Sequence, residues 1–200
     1  MTEENENQVN SQSDVNGSEV LIRVQSTPNP NAWKFVLDRS VLNNGKATYS
    51  HPEEASGNNL VISLFQVEGV KQVHLFANVI TITHRFDVEP EQVQEAVCAV
   101  IQTRLPVHNP NFGEKESVLE KRKLLPEDVQ KIEEILDRTI RPGLQGDGGD
   151  IEVIRYEDNK LYVMYQGACG TCPSSTQGTL MAIEGILRDE FKPDIEVVPL

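Results

Sequence analysis

Hydrophobic residues recur along this chain with two different spacings, and together they predict an α+β protein. In Asn78 to His84, isoleucines alternate with threonines, which is the two-residue period of a β-strand. In Glu89 to Leu105 the apolar residues fall on one face of a helix, namely Val93, Ala96, Val97, Val100 and Ile101. Strands and helices are therefore both expected, in separate stretches of the chain.

The first half of the chain predicts one small domain, residues 20–105, with the element order ββαββα. Its first helix ends at Glu68-Gly69, where glycine can adopt the left-handed conformation that closes a helix. The predicted elements are strands Val20–Gln25 and Trp33–Leu37, helix Asn58–Val67, strands Val70–Phe76 and Asn78–His84, and helix Glu89–Leu105.

The second half predicts another small domain, residues 123–200, with the order αββαβ. Residues 106–122, rich in proline, asparagine and charge, predict a linker between the two. The first helix follows Pro126 and carries an apolar stripe as far as Arg141-Pro142, and Gln145–Asp150 is predicted to be a tight turn. The remaining elements are strands Ile151–Tyr156 and Leu161–Gln166, a helix from about Pro173 to Phe191, and strand Ile195–Val198.

The composition predicts a disordered N-terminal tail and argues against two classes of partner, nucleic acid and membrane. Residues 1–19 cannot bury enough apolar surface to offset the entropy of ordering, so we expect a disordered acidic tail. The net charge of −13 repels phosphate backbones, so nucleic acid is not expected as a partner. No membrane partner is expected either, because no apolar run approaches the roughly 18 to 20 residues of a membrane span. The tail has the composition of neither a transit peptide nor a signal peptide, and three cysteines suit a reducing compartment, so the predicted location is cytoplasmic.

Candidate chemistry is concentrated at Cys169 and Cys172, which lie between a predicted strand and a predicted helix. Pro173 is a residue favoured at the first position of a helix. The unpaired N–H groups and the positive dipole end of that helix therefore point toward the sulfurs and favour thiolates. Two thiolates supply only half of a four-thiolate shell, so a metal centre at this pair needs ligands from a second molecule.

Spacing alone leaves three interpretations of the pair open: a metal or cluster site, a redox dithiol, and an incidental pair. A thioredoxin-type site often has tryptophan before the first cysteine and proline between the two, whereas here Ala168 precedes the pair and Pro173 follows it. A four-cysteine zinc site within one chain is excluded by number, because the only other cysteine is Cys98, expected to be a partly buried residue of its helix. The four histidines show no ligand spacing, and Asp147 and Asp150 flank a double glycine that is either an ordinary turn or a neighbour of the thiols.

The motifs around the thiols resemble those of the C-terminal domain of the NifU-like (Nfu-type) iron–sulfur proteins. They are Gln145-Gly-Asp-Gly-Gly-Asp150-Ile and Gln166-Gly-Ala-Cys169-Gly-Thr-Cys172-Pro-Ser-Ser175, preceded by Ile135-Leu-Asp-Arg-Thr-Ile-Arg-Pro142. Upstream, Gln25-Ser-Thr-Pro-Asn-Pro-Asn-Ala-Trp-Lys-Phe35 and Phe65-Gln-Val-Glu-Gly-Val-Lys71 resemble the N-terminal domain of that family. The resemblance covers roughly Val20 to Leu200.

The resemblance implies a non-catalytic scaffold or carrier that holds a [4Fe–4S] cluster through Cys169 and Cys172 of each of two chains. The implied partners are a second copy of the chain, apo iron–sulfur proteins that receive the cluster, and upstream cluster-assembly proteins. Two alternatives of other classes stay open: a dithiol oxidoreductase that uses Cys169 as its nucleophile, and a dimeric binding module bridged by zinc.

Overall fold

A computed structural model describes residues 19–112, 124–171 and 173–200, and these residues form two sheets, each with helices packed on one face. The predicted α+β class with two small domains is confirmed. The predicted tail, apart from Glu19, and residues 113–122 of the predicted linker lie outside the described residues. Cys172 lies outside them as well.

The N-terminal sheet has five antiparallel strands in the order β1-β2-β5-β4-β3. Two helices cover one face and build the core with it, through residues such as Leu64, Val97 and Ile101. The elements are β1 Ile22–Ser26, β2 Ala32–Leu37, β3 Lys46–Tyr49, α1 Asn59–Phe65, β4 Val70–Phe76, β5 Val79–His84 and α2 Pro90–Arg104.

The alternation in β5 divides this sheet into an apolar and a polar side. Ile80 and Ile82 point into the core beneath α1 and α2. The threonines between them face the other way, together with their partners on β4, because Thr81 pairs with His74 and Thr83 pairs with Gln72. The predicted period is therefore confirmed, and it gives the sheet a second face that is polar.

The predicted order ββαββα is incomplete, because the short strand β3 was not predicted. Residues Lys46–Tyr49 are only half-buried, and they form a strand because they pair with β4 at the edge of the sheet. Their sequence carries too few apolar positions to reveal a strand without its partner. The predicted helix at Asn58–Val67 is confirmed as α1, which Asn58 caps by accepting a hydrogen bond from the backbone N–H of Val61 at 3.2 Å.

The C-terminal sheet has three strands in the order β6-β7-β8. β6 and β7 are antiparallel, and β8 returns parallel to β7 after a crossover helix. Ile132, Leu136, Ile183 and Leu187 of the helices pack on one face of this sheet. The elements are α3 Glu127–Thr139, α4 Arg141–Gly146, β6 Gly149–Glu157, β7 Lys160–Gly167, α5 Pro173–Glu190 and β8 Glu196–Pro199.

The predicted order αββαβ is wrong in one element, because residues 141–146 form the short helix α4. This stretch contains a proline and two glycines, which are poor helix formers, so its sequence gives no helical signal. Two buried contacts stabilise the helix: Leu144 packs in the core, and Arg141 forms ion pairs with acidic residues of α3.

The described part of the predicted linker packs on the N-terminal domain. A 3₁₀ turn, Leu105–Val107, continues α2. His108 Nε2 lies 2.7 Å from the carbonyl oxygen of Val41, and the backbone N–H of Asn43 donates to the carbonyl of Pro110 at 3.0 Å. Among the described residues, no helix combines the length and the apolar character that crossing a membrane requires.

Candidate metal centre

Cys169 lies in a 3₁₀ turn, Ala168–Thr171, that joins the end of β7 to the start of α5; we call these four residues the thiol turn. Its side chain is only 6% exposed and packs with the C-terminal core. The predicted position between a strand and a helix is confirmed for Cys169, but its burial in the core was not predicted. The thiol turn leaves β7 directly at a core position, so its first cysteine is carried into the core.

Gly167 allows the chain to turn away from β7. Its φ is +62°, in the left-handed region that side chains other than glycine rarely adopt. A Cβ at this position would also lie 2.5 Å from the carbonyl oxygen of Gly148. The close approach between β6 and β7 and the bend into the thiol turn thus both depend on glycine.

Gly149 lies directly against the thiol of Cys169. A Cβ at position 149 would lie 2.3 Å from Sγ of Cys169 and 3.0 Å from its backbone nitrogen. The pairing of Gly149 with Gly167 in the β6–β7 ladder brings these groups together. Of the two explanations left open for the double glycine, the structure supports the one in which this turn lies beside a thiol.

Asp150 anchors this turn in a buried network of charges. Its side chain is 1% exposed, and its Oδ1 accepts from the backbone N–H of Ile151 at 2.6 Å. Lys46 of β3 approaches the same oxygen at 2.9 Å, and Arg141 Nε lies 3.4 Å from it. Gln145 donates to the other carboxylate oxygen at 3.1 Å. Burial lowers the pKa of Lys46, while the charge of Asp150 works in the opposite direction.

Arg141 links the same carboxylate to α3. Its Nη1 donates to Glu133 at 2.7 Å and also to Asp137, and its Nη2 donates to the carbonyl of Ile151 at 3.3 Å. Burial acts against the charge of this guanidinium, but the hydrogen bonds and charges of Glu133 and Asp137 outweigh it, so the pKa of Arg141 is raised. The double-glycine turn is therefore held in position by a charge network whose centre, Arg141 and Asp150, is buried.

The pKa of Tyr165 depends in part on the charge of the neighbouring Cys169 thiol. Burial raises the pKa of Tyr165 to about 12, and a negative charge on Cys169 contributes in the same direction. The tyrosine therefore remains neutral beside a Cys169 thiolate, as a ligand thiolate requires of its surroundings.

The polar side of the N-terminal sheet lies against the thiol turn. Asn29, in the turn before β2, donates through Nδ2 to the carbonyl oxygen of Ala168 at 2.9 Å. His74 of β4 is buried there, with its Nδ1 2.8 Å from the Thr48 hydroxyl. Burial lowers the pKa of His74 to about 4; the negative charge of Asp150 partly opposes this shift, and the positive charge of Lys46 adds to it. The histidine is therefore neutral at pH 7.

Cys98 lies on the other side of the N-terminal sheet from the thiol turn. It is half-buried on α2, where it packs against the N-terminal core, and burial raises the pKa of its thiol. The sequence predicted such a partly buried position, and this is confirmed.

In residues 19–112, 124–171 and 173–200, no three histidine, cysteine, aspartate or glutamate side chains gather as they would around a metal ion.

Sequence reasoning found the thiols and offered the double-glycine turn, with Gly149 and Asp150, as one possible neighbour, but it missed the other groups near Cys169. The contribution of Asn29, Lys46 and His74 has no local signal, because these residues are far from Cys169 in sequence.

Two family models match different parts of the chain. A model of the NifU-like domain matches residues 132–198, and a model described as scaffold protein Nfu/NifU N terminal matches residues 22–107. A Drosophila erecta protein named NFU1 iron-sulfur cluster scaffold homolog, mitochondrial, is 34% identical over 186 residues, which are 90% of this chain and 64% of that protein. NifU-like protein 4, mitochondrial, from Arabidopsis thaliana is 31% identical over 174 residues, 84% of this chain and 62% of that protein.

The chain thus spans less than two thirds of the length of these relatives. Among solved structures, a NifU-like protein from Saccharomyces cerevisiae determined by NMR matches with a TM-score of 0.44 and 18% identity. The match covers 57% of this chain and 97% of that one.

The predicted cytoplasmic location is contradicted, because both relatives are named mitochondrial. The prediction depended on the acidic composition of residues 1–19 and on the small number of cysteines. The composition of that segment describes the segment alone, and a reducing environment is not unique to one compartment, so neither observation identifies a location.

Proposed function

The chain belongs to the NifU-like family and carries the Nfu-type N-terminal domain, and we propose that it is an iron–sulfur cluster scaffold that delivers its cluster to apo-proteins. In this proposal Cys169 and Cys172 of two chains together hold one [4Fe–4S] cluster. The cluster is cargo, and the chain catalyses no reaction. Apo iron–sulfur proteins receive the cluster, and upstream cluster-assembly proteins supply it.

The separation of Cys98 from Cys169 carries this proposal. Cys98 packs on the helix-covered side of the N-terminal sheet, whereas the thiol turn lies against the polar side of the same sheet. With Cys98 excluded, one chain has at most two thiols to offer, Cys169 and its sequence neighbour Cys172. A four-thiolate shell then needs a second chain, and a symmetric pair of thiol turns supplies it.

The glycines around the thiol turn fix the position of the proposed ligand. Gly149 and Gly167 allow the turn to pack directly against the start of β6, which holds Cys169 in one place. A cluster held by two chains is also suited to release, because a thiol of the recipient can replace one ligand at a time.

We also propose domain boundaries at 20–105 for the N-terminal domain, 106–122 for the linker and 123–200 for the cluster-binding domain. Two separate hydrophobic cores support this division, one built around Phe35 and Ile82 and the other around Ile132 and Leu161. A cut within the linker should leave a C-terminal piece that still accepts a cluster.

Anaerobic reconstitution with iron and sulfide tests the proposed function. We expect four iron and four sulfide per two chains, and a change from monomer to dimer on loading that chelation reverses. Zinc without sulfide in the purified dimer would favour the binding module instead. Catalytic reduction of disulfide substrates by a cluster-free chain would favour the oxidoreductase.

A further inference from the structure

The side of the N-terminal sheet that faces away from its helices carries many polar residues, and yet part of it is buried. We call Lys34, Lys46, Gln72, His74, Thr81 and Thr83 the polar face. The second face of an antiparallel sheet usually meets water. Here His74, Thr81 and Thr83 are almost fully buried. The C-terminal domain covers them, through the double-glycine turn and the thiol turn.

Charged and amide groups of the N-terminal domain hold this contact together. Lys46 Nζ donates to the carbonyl oxygen of Ile151 at 2.6 Å and pairs with Asp150 at 2.9 Å. Lys34 Nζ donates to the carbonyl oxygen of Gly146. The lysines thus hold the residues around the double-glycine turn, and the hydrogen bond from Asn29 to Ala168 holds the thiol turn.

The surfaces also fit closely at backbone level. A Cβ at Gly148 would lie 2.9 Å from the hydroxyl oxygen of Thr81, and a Cβ at Gly167 would lie 3.2 Å from Cδ2 of His74. The glycines therefore serve the contact with the polar face as well as the bend into the thiol turn.

We infer that the polar face is a cap on the thiol turn, and that the cap must leave before two chains can share a cluster. This inference rests on the proposed function, because a shared cluster requires Cys169 of one chain to face the thiol turn of another. Cys169 packs in the C-terminal core and is 6% exposed, and the polar face covers the turn that carries it, through contacts of β5 and Asn29 with Ala168–Thr171. While this cover is in place, the thiol turn of a second chain cannot lie against that side.

Several features of this contact favour separation of the two domains. Among the described residues, Nε2 of His74, the hydroxyls of Thr81 and Thr83, and Oε1 of Gln72 are buried without a hydrogen-bond partner. Buried unpaired polar groups oppose the burial, and water satisfies them once the cap leaves. Two of the anchors, Lys34 and Lys46, are ammonium groups, whose attraction to oxygen atoms is screened as water and salt enter.

The rate of alkylation of Cys169 in the metal-free chain tests the cap. In a full-length Cys98→Ser/Cys172→Ser background, Cys169 is the only thiol that reacts with N-ethylmaleimide. Lys46→Glu puts a negative charge beside Asp150, and Lys34→Glu independently removes the contact with Gly146. Lys131→Glu, an exposed residue of α3, is the matched control because it changes the net charge equally.

We expect both cap variants to react at least tenfold faster than the control, with unchanged far-UV circular dichroism. The two cap variants with native cysteines should also form the cluster-bridged dimer faster than the control. Equal alkylation rates in folded cap variants and control would overturn the cap. Failure of the unaltered chain to form any cluster-bridged dimer would overturn the proposed function, while the alkylation rates would still decide whether the thiol turn is capped.

Discussion

The two sheets differ in the polarity and the burial of their second faces, the faces on which no helices pack. On the N-terminal sheet the second face carries threonine and histidine and is buried, whereas on the C-terminal sheet Ile154 and Met164 remain 40% and 42% exposed. Hydrophobicity alone would predict the reverse. Polar residues are buried here because another domain docks on them, so the polar face is better understood as a docking surface than as a solvent face.

The domains also differ in what holds them in shape. The N-terminal domain depends on a large apolar core between its sheet and its two helices. The C-terminal domain has a three-stranded sheet and positions its double-glycine turn with the buried charges of Arg141 and Asp150. The stability of the C-terminal domain should therefore be more sensitive to loss of a buried charge than the stability of the N-terminal domain.

The largest expected effect is loss of the cluster in Cys169→Ser. A serine hydroxyl does not replace a thiolate ligand, so iron and sulfide should be absent after anaerobic desalting of the reconstituted protein. Cys98→Ser is the matched control and should retain a full cluster, because Cys98 lies in the other domain. A Cys98 variant without cluster, together with a loaded Cys169 variant, would reverse the roles of the two domains.

Arg141→Met should lower the free energy of unfolding of the C-terminal domain by about 3–5 kcal/mol, because it leaves Glu133 buried without its positive partner and leaves Asp150 with Lys46 alone. Arg138→Met, which removes an exposed ion pair with Glu190, should cost at most about 1 kcal/mol. Urea unfolding distinguishes the domains, since far-UV circular dichroism reports both and the single tryptophan, Trp33, reports the N-terminal one. An equal shift of the Trp33 transition would mean that the domains unfold together.

Acid should weaken the N-terminal domain through His74. Its pKa is about 4 in the folded chain and about 6.5 when unfolded, so the unfolded chain binds the proton first as pH falls. Stability is therefore lost between about pH 6.5 and 4, by at most about 3 kcal/mol, and levels off below. We expect His74→Gln to lack this part of the pH dependence in urea unfolding followed by Trp33 fluorescence. Identical pH profiles of variant and wild type would mean that His74 does not remain neutral and buried.

The smallest expected effect is that of Gly149→Ala, which should destabilise the C-terminal domain by about 1–3 kcal/mol because the new methyl group collides with Sγ of Cys169. Gly185→Ala on the exposed face of α5 has nothing within 4 Å and should stabilise the helix by about 0.5–1 kcal/mol. Circular dichroism in urea should show opposite shifts. A neutral Gly149→Ala would mean that the thiol is not held against β6.

Local patterns predicted most elements of both domains. The strand predicted at Val70–Phe76 has those same bounds in the structure, and the helix predicted at Glu89–Leu105 is α2, Pro90–Arg104. Strand β3 and helix α4 were missed because each depends on distant partners, β3 on its pairing with β4 and α4 on the ion pairs of Arg141.

Dependence on distant partners also limits what the sequence predicts about the candidate metal centre. The spacing of Cys169 and Cys172 allows both thiols to reach one metal, but by itself it also fits a redox dithiol or an incidental pair. The roles of Gly149 and Lys46 follow from the β6–β7 register and from the docking of two domains, respectively. Neither is encoded within a single stretch of sequence.

Burial also decides how Cys169 and Cys98 respond to oxidants. Peroxides attack exposed thiolates, and successive oxidation of a cysteine becomes irreversible. Cys169 is withheld from solvent because it packs in the C-terminal core, whereas the half-buried Cys98 is less reactive because its raised pKa keeps it protonated. The metal-free chain thus resists oxidative damage at the two positions by different means: low exposure protects Cys169, and a protonated thiol protects Cys98.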